Sequence, residues 1–581
     1  MFRALARAVF AQPSDGRARS PRVRAGLLAA TLAVAAAGLA QVASPARPAA
    51  AEPVARAVSA APAVPTVAWH PCGDGFRCAT VPVPLDYGDP SGATISLALI
   101  QQPAGSPRRR IGTLFVNPGG PGGSGVDIVR GLGPSLPLEL RGRFDLVGFD
   151  PRGVMRSTPL RCFATFEEAT SVLPPFAFPY TAAEVTEQQR SDRALDSACA
   201  ARGGAIRDHM STADVARDMD LLRQAVGDST LNYLGFSYGS YLGQVYANLF
   251  PDRVRALVID GVLDPVAWST GRGGEAATLP VSSRAGSDVG SQATLDQFFA
   301  LCEAAGRPLC SFAGNSPRRY AAMAARFRGG PVEVGTPPDT YTVTYADFVA
   351  TTLSSMEAPD SWPTFADALL DLETNMPAPR VRATMARLRT ELGVDQPPQE
   401  DYPNVVESYP GVLCADSVNP RTFDAWTLAA ATTERLHGYF GRPWTWASSS
   451  CHAWPATAGR DRYLGPWTAR TAEPVLVIGN YYDPETPYQG AVAAARLLPN
   501  SRLLTYAGWG HTAFFRGSYC IDTAVTTYFT TLRLPRARTV CPALGSPFES
   551  ISAAARARAD AAAQRGLPLL PEAPRRAAAH G

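Results

Sequence analysis

Ser237 lies in Gly235-Phe236-Ser237-Tyr238-Gly239, where an apolar stretch, LNYLGF, runs directly into an apolar-periodic one, YGSYLGQVYANLF. A strand that turns this sharply into a helix leaves no room for side chains two positions either side of the serine, hence the flanking glycines. Such a turn holds the hydroxyl out above a sheet and aims the N–H of Tyr238, at a helix N-terminus, at the reacting atom. The five-residue pattern recurs by chance in long chains; the strand before it and the helix after it make Ser237 a candidate nucleophile. A serine needs a base, and the base needs a partner that holds its tautomer. Asp483 follows the apolar run EPVLVI, and His511 follows RLLTY in Gly508-Trp-Gly-His511. All three thus come directly after predicted strands, in the order Ser, Asp, His. The other histidines fall elsewhere: His70 near the N-terminus, His580 in the tail, and His209, His437 and His452 in excursions. Glu485 and Asp522 are nearby acids, and Glu485, two residues deeper in its turn, is expected to be solvated.

A glycine loop, Asn117-Pro-Gly-Gly-Pro-Gly-Gly-Ser-Gly125, follows the short apolar strand IGTLFV. One use for it is an oxyanion hole, with the N–H of Gly120 facing that of Tyr238. A second is dinucleotide binding: Gly120, Gly122 and Gly125 spell G-x-G-x-x-G, and Asp150 closes the next strand, where a ribose-binding acid would sit. Two prolines in the loop and the absence of a long helical pattern after it weigh against that use, and an exported enzyme meets little NAD. A purely structural turn is the third reading. No cofactor is expected.

Composition narrows the chemistry further. The 581 residues contain no lysine, so all 54 basic residues are arginine. A Schiff base, a Ser-Lys dyad, a pyridoxal site and a Walker lysine are therefore excluded. Six arginines precede an apolar run, Ala25 to Ala40, followed by small residues. This reads as a secretory signal, and a run of about 16 residues is short for a membrane span. Its removal takes the formal charge from +3 to about −2, which gives no argument for nucleic acid or for anionic membrane. Ten cysteines in an exported chain favour disulfides, and pairing of sequence neighbours is expected: Cys72 with Cys78, Cys162 with Cys199, Cys302 with Cys310, Cys414 with Cys451, Cys520 with Cys541. None forms C-x-x-C, and with six histidines no metal site is expected.

The elements that must position these residues follow from periodicity. Strand patterns at VPVPLDY, ATISLALIQQ, IGTLFV, RFDLVGFD, LNYLGF and VRALVID alternate with helical ones, including a helix capped at Ser211 with Asp214 at its third position. Such alternation means a mostly parallel central sheet with helices on both faces. The rhythm stops near Pro265 and resumes at Pro474 with EPVLVI, a helix at Ala491 to Leu498, and RLLTY. The expected organisation is a signal (1–40), a Pro/Ala-rich leader (41–65), a core (66–264), a large and mainly helical inserted cap (265–470), the rest of the core (471–545) and an Ala/Arg-rich tail (546–581). The cap's aromatic residues, among them Tyr402, Tyr409, Trp444, Trp446 and Trp454, either line a cleft or fill the cap's own core.

Taken together these residues resemble a family. Pro118-Gly-Gly-Pro-Gly122 is similar to the H-G-G-P-G box of the prolyl iminopeptidase branch of α/β-hydrolases, and Asp150-Pro-Arg-Gly-Val-Met-Arg-Ser157 to its D-x-R-G-x-G-x-S stretch. Within that branch the glycine loop, Gly-Phe-Ser-Tyr-Gly-Ser and Asp-Pro-x-Thr-Pro most resemble the secreted actinobacterial tripeptidyl aminopeptidases. The likeness spans roughly Ala68 to Cys541. Pro118 replaces the wider branch's His, and Met155 replaces a usual Gly, placing a bulky group in a turn. The resemblance implies an α/β-hydrolase fold and a secreted serine exopeptidase that frees short peptides, expected to be tripeptides, from free N-termini. Its partners would be peptide or protein N-termini. Binding a free ammonium calls for a poorly solvated carboxylate, with Glu407 and Asp416 as candidates beside surface or structural roles for both. A secreted carboxylesterase or lipase shares the same triad and fold, and a non-catalytic binding protein of that fold is a further alternative.

Overall fold

A computed structural model describes residues 61–394 and 402–549. The expected signal, most of the leader and nearly all of the tail lie outside those residues. Strands β1 (His70–Pro71), β2 (Arg77–Pro84), β3 (Thr94–Gln102), β4 (Gly112–Asn117), β5 (Phe144–Phe149), β6 (Leu231–Phe236), β7 (Val254–Asp260), β10 (Val475–Tyr482), β11 (Ser501–Trp509) and β12 (Val540–Pro542) form one sheet in the order β1-β2-β3-β5-β4-β6-β7-β10-β11-β12. The ladder is antiparallel from β1 to β5 and parallel from β5 to β12. The parallel strands read as continuous apolar runs because both faces are covered. Their residues divide by the two-residue pleat: Leu231, Tyr233, Leu257, Ile259 and Val477 join one core, and Leu234, Phe236, Ala256, Val258 and Ile478 join the other.

Register sets where the strands end. Asn117 pairs with Gly235, and Phe236 with Asp260. The glycine loop, Ser237 and Gly261 therefore emerge side by side. A register shift after Asn480 pairs Tyr482 with Trp509, which brings the turn at Asp483 beside Gly510-His511. The D-P-R-G stretch after β5 is tied down residue by residue. Arg152 is fully buried on Asp218 and on the carbonyls of Pro84 and Leu85. Ser157 Oγ accepts the Ala98 N–H at 2.8 Å. Met155 adopts φ +46°, and its N–H donates to Asn404 Oδ1 at 2.8 Å, so a cap residue holds the strained turn.

Between β7 and β10 the chain is mainly helical. Helices Ser287–Ala305 and Ala378–Glu391 are among the longest there, and helix Val405–Asp416 lies over the glycine loop, where Ser408 and Tyr409 meet Gly122. The antiparallel pair β8 (Val332–Thr336) and β9 (Asp339–Val343) is an addition the helical patterns concealed, being short and largely exposed. The excursion at 157–210 also roofs the core. Its helix Ala182–Arg202 starts at a capping box between Thr181 and Glu184, and Gln188 reaches Ser449 in the cap. Disulfides join Cys72–Cys78, Cys162–Cys199, Cys302–Cys310, Cys414–Cys451 and Cys520–Cys541. No helix among the described residues is long and apolar enough to cross a membrane.

Candidate active site

Ser237 follows β6 and caps helix Tyr238–Leu249 with φ 55° and ψ −124°, a conformation that costs on the order of 1–3 kcal/mol and survives only where its surroundings over-determine it. Those surroundings are visible. The Ser237 N–H donates to Asp260 O at 2.8 Å. A Cβ on Gly235 would lie 2.3 Å from Gly239 O, and one on Gly239 would lie 2.8 Å from Asn117 Oδ1. Both glycines of G-x-S-x-G are thus sterically required.

The Asp483 carboxylate is 1% exposed and faces His511 Nδ1 at 2.9 and 3.1 Å. It also accepts the N–H groups of Glu485, Thr486 and Thr512 and the Thr486 hydroxyl, which fix its orientation. The imidazole is held over the sheet edge from below. Buried Asp260 accepts the N–H groups of Ala513 and Phe514 at 2.9 and 2.7 Å, and a Cβ on Gly261 would be 3.3 Å from His511 Cε1. Asp260–Gly261 therefore touches both Ser237 and His511. Burial alone would lower the His511 pKa, but Asp483, Glu485 and Glu357 outweigh it and push it up to about 9.

Glu485 departs from expectation. Its side chain is 11% exposed rather than solvated, with Oε2 3.4 Å from His511 Nε2. Nε2 itself makes no hydrogen bond, so the Ser237–His511 bond is not formed in this structure. Resting sites often hold this contact open until substrate arrives.

The glycine loop closes onto the elbow at Gly119. A Cβ there would be 2.8 Å from Ser237 Cβ and 2.9 Å from Tyr238 N, so only hydrogen leaves space beside Ser237. The Gly119 N–H is already given to Asn117 Oδ1 at 2.9 Å, whereas Gly120 is exposed and lines the adjoining cavity. Tyr238, first in its helix, has no intrahelical acceptor for its N–H. The dinucleotide reading fails on Asp150. That carboxylate is fully buried and accepts from Ser124 Oγ, Val126 N and Arg156, so it has no face for a ribose.

The two acids expected to hold a substrate ammonium do not line that cavity. Glu407 is buried against the Tyr402 hydroxyl, and burial raises its pKa. Asp416 accepts from Thr212 N at 2.7 Å and from Thr212 Oγ1, which also meets the Tyr238 hydroxyl. Both sit on helix Val405–Asp416 but on the side turned from the cavity, where only packing could have placed them. Of the aromatic residues, Tyr409 and Trp446 line the cavity, while Trp454 is in the cap's core and Trp444 donates to Ser291. His209, Asp214 and Asp461 bring ligand atoms within 4.8 Å of one another. Arg217 on Asp214 at 2.6 Å and Arg460 on the His209 ring supply the positive charge a metal would bring.

Comparison with known proteins accords with this architecture. Residues 112–281 match the family model described as alpha/beta hydrolase fold, and residues 437–541 the one described as TAP-like protein. The chain is 34% identical over 520 residues to "Carboxylesterase B" of Mycobacterium tuberculosis, covering 86% of this chain and 94% of that protein. It is 30% identical to "Serine protease Hip1" of the same species over 80% of this chain and 88% of that one. Identity to "Tripeptidyl aminopeptidase" of Streptomyces lividans is 31%, over 82% of this chain and 87% of that one. A serine hydrolase by fold and kinship, the chain belongs to the tripeptidyl-aminopeptidase branch of the α/β-hydrolase superfamily.

Proposed function

We propose that this chain is a secreted serine aminopeptidase that releases tripeptides from free N-termini through an acyl-enzyme on Ser237. The observation that carries the reading is the Asp483–His511 pair set at the sheet edge beside a strained elbow serine. His511, its Nδ1 proton held by Asp483, takes the Ser237 proton at Nε2 as Oγ attacks the peptide carbonyl. The oxyanion is held by the N–H groups of Tyr238 and Gly120. His511 then protonates the leaving amine, and water releases the acyl peptide by the same route in reverse. Helices Ala182–Arg202 and Val405–Asp416 line a cavity of about 270 Å³ next to the glycine loop, room for a short peptide segment, which supports cleavage near a chain end. Five disulfides and the basic-apolar N-terminus support export.

The test is a panel of free-amine tripeptide anilides, the same peptides N-acetylated, and short p-nitrophenyl esters. Turnover confined to free amines is expected, and turnover that survives N-acetylation overturns the aminopeptidase reading. Esterase activity is the second reading, favoured by the 34% identity to a protein named carboxylesterase. It predicts ester cleavage with no anilide cleavage. Recovery of a shortened N-terminus from culture medium tests export.

A further inference from the structure

An acid unused by the mechanism above lies in the wall of the roofed cavity. The space, about 270 Å³, begins at Gly120 and Gly122 and is walled by Phe176, Leu195, Val406 and Tyr409. Asp192, on helix Ala182–Arg202, lines it and is only 5% exposed. Its Oδ1 accepts from Gln188 Nε2 at 3.0 Å and Oδ2 is buried with no hydrogen-bond donor; burial, opposed by the Ser449 hydroxyl and Gln188, pushes the acid up to about 7. Among the described residues the single basic group within ion-pair distance is His452, whose Nδ1 is 3.8 Å from Oδ2 but engaged with Ser449 O at 2.8 Å. Burial lowers the pKa of the His452 ring, which weakens it as a counter-charge.

A carboxylate in an apolar wall without a counter-charge is expensive to keep, and one oxygen left unpaired adds to that cost. The fold nevertheless pins it there. The helix is capped at Thr181–Glu184 and tethered by Cys162–Cys199 about two turns beyond Asp192. A buried acid with an unpaired oxygen, facing a cavity that starts at the glycine loop whose Gly119 packs against Ser237, marks a ligand cation.

We propose that Asp192 receives a primary ammonium group of the substrate, the α-ammonium of a peptide whose N-terminal residues fill this cavity while its scissile carbonyl meets Gly120 and Tyr238. The proposal rests on the aminopeptidase reading and names the residue that makes a free amine necessary. A lysine side chain of the substrate entering the same cavity would present the same chemistry, and the test separates the two.

The experiment compares kcat/KM for a free-amine tripeptide anilide, its N-acetyl form, and N-acetyl anilides ending in lysine or in norleucine, on wild type, Asp192→Asn and Asp192→Glu. Each selectivity is a ratio measured on one sample, so it does not depend on the fraction folded. Wild type is expected to favour the free amine by about 30-fold or more, the scale of a desolvated charge pair, Asp192→Asn to lose that preference through KM, and Asp192→Glu to recover part of it. Retention of the preference in Asp192→Asn overturns the proposal and leaves the aminopeptidase reading standing. If wild type shows no free-amine preference, that reading fails. Asp192 then survives as a cation site if wild type favours lysine over norleucine and Asp192→Asn does not, and it falls if neither cation is favoured.

Discussion

Glu485 Oε2 lies 3.4 Å from Nε2 of His511, the ring nitrogen opposite the one that faces Asp483. The imidazole is thus flanked by two carboxylates, with Glu357 adding a third negative field, and its pKa stands near 9. The base must be neutral to accept a proton, so kcat/KM of the free enzyme is expected to rise with pH through the neutral range toward that value. Glu485→Gln removes one of the charges that raises it, and the acid limb of the kcat/KM profile should move to lower pH. A limb that stays in place, or moves up, would mean that Glu485 does not act on the base. The same shift has a stability consequence: the contribution of protonated His511 is fully present below the unfolded pKa of 6.5 and is lost as pH rises through about 9.

Removal of the nucleophile itself should be decisive. Ser237→Ala is expected to lower kcat by about 10⁶ and to abolish labelling by a fluorophosphonate. Persistent labelling in the variant would assign the reactive serine elsewhere.

Gly119 tests the oxyanion geometry without touching any charge. Gly119→Ala puts a methyl group 2.8 Å from Ser237 Cβ and 2.9 Å from Tyr238 N, at φ +90°. The expected loss in kcat is about 10²–10³, comparable to losing one oxyanion donor. Steady-state kinetics on one peptide and one ester should show the same loss, because the oxyanion is common to both.

Asp260 holds the His511 loop through the N–H groups of Ala513 and Phe514. Asp260→Ala leaves both donors buried without an acceptor, at a cost of about 1–3 kcal/mol each. Thermal unfolding should show the lower midpoint, and kcat should fall as the imidazole loses its seat. An unchanged midpoint would refute the anchoring role.

The Cys162–Cys199 bridge ties the roof helix to the core across a sequence separation of 37. Its replacement by a serine pair is expected to destabilise by about 2–5 kcal/mol. Because that helix carries Asp192, KM for free-amine peptides should rise more than kcat falls, which steady-state kinetics would read directly.

Most of the geometry around Ser237, Asp483 and His511 was legible in the sequence because each part is largely a local event. Gly235 answers to clashes with Tyr233 and Gly239 within five residues, Asp214 to a cap three residues from Ser211, and the strands after which Asp483 and His511 sit to runs of β-branched and apolar side chains, whereas Gly239 is also held bare by Asn117 of the glycine loop. Their convergence followed from the rule that parallel strands all end at one edge. What the sequence did not carry was the direction in which isolated side chains point once distant segments meet. Glu407 and Asp416 share a helix with Tyr409, yet the turn of that helix hides both acids and leaves the tyrosine in the cavity. Asp192 lies on a helix whose pattern of charged and apolar residues has no clear face, so nothing along the chain distinguishes it. The sequence by itself determined the elbow turn at Ser237 and the strand ends after which Asp483 and His511 sit, since these are set by neighbours. Only the tertiary structure decided that Glu485 would face Nε2 and that Asp192 would line the same cavity as Gly120, because burial depends on elements separated by tens to hundreds of residues.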